Sequence, residues 1–436
     1  MHVAAFAALA VRPSLDLFSE RRFGLGPFTL EPAVVFGAVM LVIGCVLGIR
    51  RARDGQRAWP DTPLRRAHVW LAAAYGIMAI SGSRLYAGVG VAEGVRELSR
   101  VASIVAAFFV VYWWLLGKPS NSRLAWVYLA AGAIPPIVVA LWQLATGTGF
   151  LEPDGTLRLQ GTFSHPNSFA QYLVPFILVL VAGQAGRTWR IGLAVALTVL
   201  VALTYSRTAI LALATAMASL LALESRLGVK GVLRLVIALA AVGGIVWWLT
   251  GGIIVQRFAG IAFGASSWQD ALAGESENSY QWRLINWSGL ILLGLNHPWL
   301  GHGAGMTTHL NPLINSENGV PFNAHNDYVR FFFEGGIMGL ACYGVYQALL
   351  CLWVIRRARG IPRERSGTAI ALGASLLGMT FLTGGTTELS LHTANQYSLY
   401  GVLALVSAGA VPAPFERPRE VVRANRGDSS ERTGPC

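Results

Sequence analysis

The sequence is poor in charged residues. Only 13% of its 436 residues are Asp, Glu, Lys or Arg, whereas hydrophobic residues make up 54% and the mean hydropathy is +0.52. Soluble globular proteins carry about 25% charged residues. The charge present is too little to cover a water-facing surface of this size, so a soluble globular protein is excluded. No polar stretch is long enough for a separate soluble domain, and lipid is the simplest solvent for the remaining surface.

Cysteine is also scarce, and it does not occur at metal-ligand spacings. The chain has four cysteines, Cys45, Cys342, Cys351 and Cys436, with no CxxC or mixed Cys/His pattern. Neither a disulfide framework nor a zinc site is therefore supported. The loops predicted below to face away from the cytoplasm contain no Asp-x-Asp pair, which disfavours a divalent ion that would hold a phosphate group. We predict no metal and no cofactor.

What the sequence has instead is a series of long apolar runs. A helix needs about 20 mostly apolar residues to cross a hydrocarbon core roughly 30 Å thick. We predict an all-α, polytopic transmembrane bundle of about twelve helices, in which residues 1–413 form one transmembrane domain and residues 414–436 a disordered tail. The predicted spans are 2–18, 28–49, 67–85, 100–116, 124–145, 167–185, 191–206, 208–224, 232–250, 329–355, 367–386 and 396–413. The first is the weakest, because Arg12, Pro13 and Asp16 interrupt it.

The net charge of +12 is concentrated in alternate loops. The positive-inside rule assigns these loops, and both chain ends, to the cytoplasm. Basic residues on cytoplasmic loops hold the topology and contact anionic lipid, so we predict no nucleic-acid partner. The opposite face carries two long loops, 146–166 and 251–328, and within the second the amphipathic run 281–295 predicts a helix near the membrane interface. The basic loops contain Arg50, Arg51, Arg53, Arg57, Arg65, Arg66, Lys118, Arg123, Arg187, Arg190, Arg226, Lys230, Arg234, Arg356, Arg357, Arg359, Arg363 and Arg365.

Arg207 is the most informative polar residue. It stands between two short apolar runs in the sequence TYSRTAIL, so we predict that it lies in a tight turn on the non-cytoplasmic side. An arginine at membrane depth costs about 2.5–3.5 kcal/mol on insertion scales, so a retained one usually has a partner or a function. A snorkelling arginine that marks a helix end is the alternative interpretation.

A second polar segment, RLQGTFSHPNSFAQYL, begins at Arg158 and includes His165 and Asn167. These side chains cluster where a polar loop leads into a helix, which makes them candidates for substrate binding. Pro166 is typical of the first position of a helix. A well-capped helix start without any substrate contact is therefore the alternative.

Two further candidates lie in and after the long loop. Arg283 belongs to the phrase ENSYQWRLINW, and His325 and Asn326 stand where the loop returns to the membrane. Arg330 and Glu334 are four residues apart, so they share a helix face and are expected to pair. Arginine binds phosphate through a planar fork of donors, and histidine is the usual general base near neutral pH. This set of residues suits a diphosphate leaving group that is attacked by an activated hydroxyl.

The sequence resembles the O-antigen ligase-like family, which also includes O-antigen and exopolysaccharide polymerases. His325 and Asn326, followed after nine residues by Gly336 and then Gly339, match the histidine motif of the ligases. Further matching phrases are Gly161-x-Phe163-x-x-Pro166-Asn167, Ser206-Arg207, and Asn296-x-Pro298-Trp299-Leu300-Gly301-x-Gly303. Together the phrases extend the resemblance over about residues 100 to 410.

The resemblance implies a metal-independent, GT-C-like glycosyltransferase in the bacterial cytoplasmic membrane. It would transfer a glycan from undecaprenyl diphosphate to an acceptor hydroxyl, that of lipid A-core in a ligase, on the periplasmic face. His325 would be the base, Arg207 and Arg283 would bind the diphosphate, and Asn326 would orient His325. Arg158, His165 and Asn167 would contribute to substrate binding.

Two alternatives remain open on the sequence. Ligases often show Arg-x-x-x-Leu in the long loop, whereas here Trp287 follows Arg283 at that spacing. The pattern with Trp287 is common in the broader family, including polymerases, whose acceptor is a second lipid-linked repeat unit. A transporter or lipid flippase is the other alternative. Transporters often show two similar halves with broken helices at the midplane, and the sequence has no such duplication.

Overall fold

The computed structural model describes residues 1–18, 23–25, 28–55, 62–116, 119–152, 155–182, 188–223, 244, 279–314, 321–360 and 393–407. About 82% of these residues are helical. The following lie outside the described residues: the predicted span 232–250 apart from residue 244, the predicted span 367–386, the loop segments 251–278 and 315–320, and the tail 414–436. The protein is an all-α polytopic membrane protein, and the prediction of that fold class is confirmed.

The helices follow the apolar runs closely. In chain order they are α1 His2–Phe6, α2 Pro32–Arg53, α3 Thr62–Leu115, α4 Pro119–Thr146, α5 Pro166–Ala182, α6 Thr188–Leu203, α7 Arg207–Leu223, α8 Ser279–Gly294, α9 Thr307–Leu310, α10 Asp327–Gly360 and α11 Thr393–Ser407. Helix α1 continues as one π-helical stretch, Ala7–Val11, and one 3₁₀ stretch, Arg12–Phe18. Two antiparallel hairpins pair β1 Phe23–Leu25 with β2 Phe28–Leu30 and β3 Phe150–Leu151 with β4 Leu157–Arg158.

Among the described residues, four helical stretches are long and apolar enough to cross a membrane: Pro32–Arg53, Pro63–Leu115, Arg123–Thr146 and Asp327–Trp353. Helices α6 and α7 are shorter apolar helices of 16 and 17 residues. Helix α2 exposes Val34, Val35, Val39, Val42 and Val46 along its length. Such an apolar surface suits lipid rather than water.

Helix α3 corrects one prediction. The segment between the predicted spans 67–85 and 100–116 is helical rather than a loop, and the chain reverses at Tyr86 and Ala87, whose backbone leaves the helical region. The two arms of α3 then pack against each other so closely that a Cβ on Gly90 would lie 2.0 Å from the Gly82 carbonyl oxygen. Gly82 and Gly90, which face each other across the two arms, therefore permit a helical hairpin where a polar loop was expected.

Two apolar cores hold the bundle together. The larger one surrounds α3 and includes buried residues of α1, α2, α10 and α11, whereas the second is formed by α4, α5, α6 and α7. Asn395 of α11 joins them, because its Nδ2 donates to the Ser168 carbonyl and to Gln171 Oε1 of α5. The end of the bundle where α4 ends, α5 begins and the α3 hairpin turns is called the loop end below.

Candidate active site

The β3–β4 hairpin places Arg158 in the centre of the loop end. Gly149 precedes the hairpin at φ +143, and a Cβ there would lie 2.6 Å from the Arg158 carbonyl oxygen. Arg158 Nε donates to the Thr204 carbonyl at 2.6 Å, Nη2 donates to Asn167 Oδ1 at 2.9 Å, and Nη1 donates to Glu152. One buried guanidinium thus ties the hairpin to the α6–α7 turn and to the start of α5.

Arg207 lies in the predicted tight turn between α6 and α7. Helix α6 ends at Leu203, Tyr205 adopts φ +51, and α7 begins at Arg207 itself. Ser206 is the N-cap of α7, since its Oγ accepts a hydrogen bond from the Ala209 N–H at 3.3 Å. The turn therefore fixes Arg207 in the first turn of a helix, where its backbone cannot swing away.

His165 and Asn167 have local partners at the start of α5. The Nδ1 atom of His165 accepts a hydrogen bond from the Asn167 N–H at 3.1 Å, and its carbonyl accepts from the N–H groups of Ser168 and Phe169. Since Nδ1 is an acceptor, the neutral ring carries its proton on Nε2. His165 thus caps α5, as the alternative interpretation of this segment expected, and its predicted substrate contact stays a prediction.

Arg283 lies on α8, where the positive charges of Arg158 and Arg207 act on it. The pKa of Arg283 is lowered to about 10, chiefly by burial and also by the positive charges of Arg207 and Arg158, against the opposing effect of Glu152. The Nε atom of Arg283 is buried and has no hydrogen-bond partner among the described residues. Arg158, Arg207 and Arg283, called the arginine cluster below, come from three separate parts of the chain. Among the described residues whose charge acts on Arg283, two carry guanidinium groups and one, Glu152, carries a carboxylate.

Helix α8 also holds the segment that carries His325. Asn286 Nδ2 donates to the carbonyl oxygens of Asn323 and Ala324 at 2.9 and 3.3 Å, and Trp287 Nε1 donates to the Ala324 carbonyl at 2.8 Å. The ring of Trp282 packs edge-on against His325, with 5.4 Å between centroids. Arg283 therefore lies within one helical turn of three residues that hold the histidine segment.

His325 and Asn326 form a constrained start to α10. His325 adopts φ +50, a left-handed conformation that is uncommon outside glycine. Asn326 Oδ1 accepts from the N–H groups of Tyr328 and Val329 at 2.9 and 3.2 Å, which makes Asn326 the N-cap. This cap fixes the backbone directly after His325, whereas a direct side-chain effect of Asn326 on His325 stays a prediction. Among the described residues no group of three His, Cys, Asp or Glu could hold a metal ion.

A comparison with protein families finds a match over the central part of the chain. Residues 192–344 match the family model described as O-antigen ligase. The matched segment is similar to the O-antigen ligase family. It runs from α6 into α10, so it includes Arg207, Arg283 and His325, whereas Arg158, His165 and Asn167 precede it. No curated protein matches the chain. The family consists of membrane enzymes of ligase or polymerase type and implies a lipid-linked glycan as substrate.

One glycine of the histidine motif, Gly336, has a structural reason here. Helix α10 breaks at Gly336, which adopts φ +63, and a Cβ there would lie 2.3 Å from the Trp299 carbonyl carbon. The Ile337 N–H donates to the Pro298 carbonyl, and the Gly303 N–H donates to the Glu334 carbonyl. The phrase from Asn296 to Gly303 therefore satisfies the backbone groups that the break leaves open.

The segment matched by the family model also takes part in an ion network that the sequence revealed only in part. Arg330 Nη2 donates to Glu97 Oε2 at 2.7 Å, Arg330 Nε donates to Glu334 Oε2 at 3.1 Å, and Thr307 Oγ1 donates to Glu334 Oε1 at 2.8 Å. Arg330 and Glu334 are each 1% exposed and Glu97 is 3% exposed. The pairing of Arg330 with Glu334 follows the predicted spacing. Glu97 was missed because its helical segment was taken for a loop.

A more exposed group of charges lies beside this ion network on the α3 hairpin. Arg96 Nη2 contacts Glu93 Oε2 at 2.5 Å, and His309 Nε2 contacts Glu93 Oε1 at 3.2 Å. The Arg96 side chain is 60% exposed. We call these three residues, Glu93, Arg96 and His309, the hairpin patch. The patch contains one glutamate, one arginine and one histidine, the residue types of the candidate site. Its residues therefore serve as matched controls.

Proposed function

We propose that the protein transfers a glycan from undecaprenyl diphosphate to an acceptor hydroxyl on the periplasmic face of the bacterial cytoplasmic membrane. The observation that carries this proposal is the position of α8, which presents Arg283 to Arg207 and Arg158 and holds the His325 segment within the same turn. Arg283 and Asn286 are separated by only about 5 Å along the helix axis, from a rise of 1.5 Å per residue. A diphosphate and an activated hydroxyl would therefore meet at one place.

The chemistry follows from the two kinds of group. In the proposed reaction the acceptor oxygen forms a bond to the anomeric carbon, and the bond from that carbon to the phosphate oxygen breaks. The phosphate oxygen keeps the electron pair, so negative charge grows on the diphosphate, where fixed guanidinium groups stabilise it. His325 accepts the proton of the acceptor hydroxyl and later releases it to water. The guanidinium groups supply the positive charge that a divalent ion provides in other transferases, and we expect activity to persist in a chelator.

The direction of the helices supports the periplasmic side. Helix α2 ends in Arg50, Arg51 and Arg53, and α4 carries Arg123 near its start, at the end of the bundle opposite the loop end. The positive-inside rule places that basic end in the cytoplasm. The arginine cluster and His325 would then face the periplasm, where lipid-linked glycans are assembled into surface polysaccharides.

The first test is a His325→Ala variant, with His309→Ala of the hairpin patch as the matched control. The purified full-length protein in lipid nanodiscs is given a lipid-linked oligosaccharide with and without a glycolipid acceptor, and products are separated by electrophoresis. We expect His325→Ala to insert and fold normally but to lose glycan transfer, whereas His309→Ala retains it. Full transfer by His325→Ala would remove this histidine from the mechanism.

The same assay separates the two acceptor classes. We favour the ligase, because the histidine motif matches the ligase pattern at all its positions. A product that forms only after the glycolipid acceptor is added would support it. A ladder of products from the lipid-linked oligosaccharide alone would show a polymerase instead, the alternative that Trp287 favours. Movement of the lipid-linked substrate across the bilayer without transfer would favour the flippase.

A further inference from the structure

Glu152 is the acidic residue that meets the arginine cluster. It lies directly after β3, where its N–H donates to the Thr156 carbonyl, and its carboxylate pairs with Arg158. The side chain of Glu152 is 24% exposed, whereas that of Arg158 is 6% exposed. The arginine is therefore fixed and buried, and the carboxylate is the partner that can leave towards solvent.

A carboxylate and a phosphate compete for the same donors. Both present two oxygens to the planar fork of a guanidinium group, and both form charge-assisted hydrogen bonds with it. Arg158 cannot easily follow a departing Glu152, because Thr204 and Asn167 hold its other two nitrogen atoms. A ligand phosphate could thus take the place of the carboxylate without any movement of the arginine.

Release of the product poses a specific electrostatic problem at this site. The diphosphate of the donor is a diester, whereas the diphosphate left after transfer ends in a monoester whose second ionisation has a pKa of about 6. The product is therefore more negative than the donor near neutral pH. A purely cationic site would bind it more tightly than the donor, and product release would then limit turnover.

We propose that Glu152 is an intramolecular competitor for the diphosphate, which occupies Arg158 in the empty site, yields it to the donor and returns to expel the product. This inference rests on the proposed function, because it takes a lipid diphosphate as the ligand. Glu152 would act by displacing a ligand phosphate from Arg158 and would take no part in bond making. Its effect should therefore appear in binding and release rather than in the chemical step.

The test compares Glu152→Gln with Glu93→Gln in the full-length protein in nanodiscs. The glutamine keeps a hydrogen-bond acceptor for Arg158 but loses the charge, so the hairpin remains tethered. Glu93 is the matched control, because it is also paired with an arginine, Arg96, on the hairpin patch. Undecaprenyl diphosphate is the binding probe, and transfer is followed in a single turnover and at steady state.

We expect Glu152→Gln to bind undecaprenyl diphosphate roughly 3- to 10-fold more tightly than the wild type, as befits the loss of one partly exposed ion pair. Its single-turnover rate should be unchanged, its steady-state rate lower, and its inhibition by product stronger. Glu93→Gln should behave as the wild type in all three measurements.

Unchanged or weaker binding by Glu152→Gln would overturn the inference, because Glu152 would then be a structural support for Arg158. A Glu152→Ala variant separates loss of charge from loss of the hydrogen bond, and weaker binding there together with unchanged binding in Glu152→Gln would also show a structural role. If the wild type transfers glycan and binds the diphosphate while Glu152→Gln equals it, only this inference fails. If the wild type does neither, the proposed function fails with it.

Discussion

Arg330 and Arg283 are both withdrawn from water at the loop end, but their charges are compensated to different degrees. Arg330 meets two carboxylates, Glu97 and Glu334. Arg283 meets two other guanidinium groups, those of Arg158 and Arg207, and one carboxylate, that of Glu152. Among the described residues, Arg330 is matched by carboxylates, whereas the charged groups that act on Arg283 are mostly guanidinium groups.

This difference separates two uses of the same side chain. A buried arginine with two carboxylate partners has its donors occupied and serves to join helices, here α3 to α10. A buried arginine beside other arginines raises the energy of the empty site, and an anionic ligand relieves that repulsion. The ratio of positive to negative groups in a cluster therefore distinguishes support from ligand binding better than the residue type does.

The largest expected effect on stability comes from removing Arg330 from the ion network. Arg330→Met would leave the buried carboxylate of Glu334 without its arginine and would leave that of Glu97 with Arg100. Breaking a buried pair in this way costs about 3–5 kcal/mol. We expect a strongly lowered free energy of unfolding, measured by denaturation in detergent. The double variant Arg330→Met, Glu334→Gln should recover most of that loss, because Glu97 keeps its pairing with Arg100. Equal stability of Arg330→Met and wild type would contradict a stabilising role for Arg330 in the ion network.

A smaller effect on stability but a large one on activity is expected in the arginine cluster. Arg207→Lys and Arg283→Lys keep the charge but lose the planar fork. We expect glycan transfer to fall roughly 10²-fold, as for the loss of one group that stabilises developing charge, with normal folding. Arg96→Lys on the hairpin patch is the matched control and should retain wild-type transfer. Wild-type rates in Arg207→Lys would favour a snorkelling arginine that marks the end of a helix.

The smallest effect is expected at His165, where the helix cap and the predicted substrate contact can be separated. His165→Ala removes the acceptor that Nδ1 offers to the Asn167 N–H, and loss of an N-cap costs about 1 kcal/mol. His165→Asn restores a good N-cap without the imidazole. We expect thermal unfolding to show a loss only in His165→Ala, with transfer within a few-fold of wild type in both variants. Lost transfer in a stable His165→Asn protein would instead show that the imidazole contacts substrate.

The sequence predicted the long helices well, because lipid imposes the same apolar length on each of them. The turn at Arg207 was also predictable, since two short apolar runs can only be joined tightly. The α3 hairpin was not, because Glu93, Arg96 and Glu97 look like loop residues until their partners are known. Those partners lie more than 200 residues away along the chain for Glu97 and Arg330. No local pattern encodes such a pair.

The candidate site was predictable in its residue types but not in its assembly. The bare sequence offered Arg158, Arg207 and Arg283 as three separate cations, and only α8 and the β3–β4 hairpin show that they share one environment. The N-cap role of Asn326 was equally hidden, whereas a capped helix start at His165 was one of two interpretations that the sequence left open. The same type of residue can cap a helix or bind substrate. Only the geometry of its hydrogen bonds distinguishes the two roles.

Gly82, Gly90 and Gly303 bring three stretches of main chain into direct contact, since a Cβ on Gly303 would lie 2.2 Å from Gly82 Cα. Side chains between helices act as compliant spacers that change rotamer when a bilayer thins or stretches. Main-chain atoms in direct contact cannot adjust their spacing by a change of rotamer. We therefore expect the α3 hairpin and the segment before α9 to shift together under lateral pressure, with a constant spacing in membranes of different thickness.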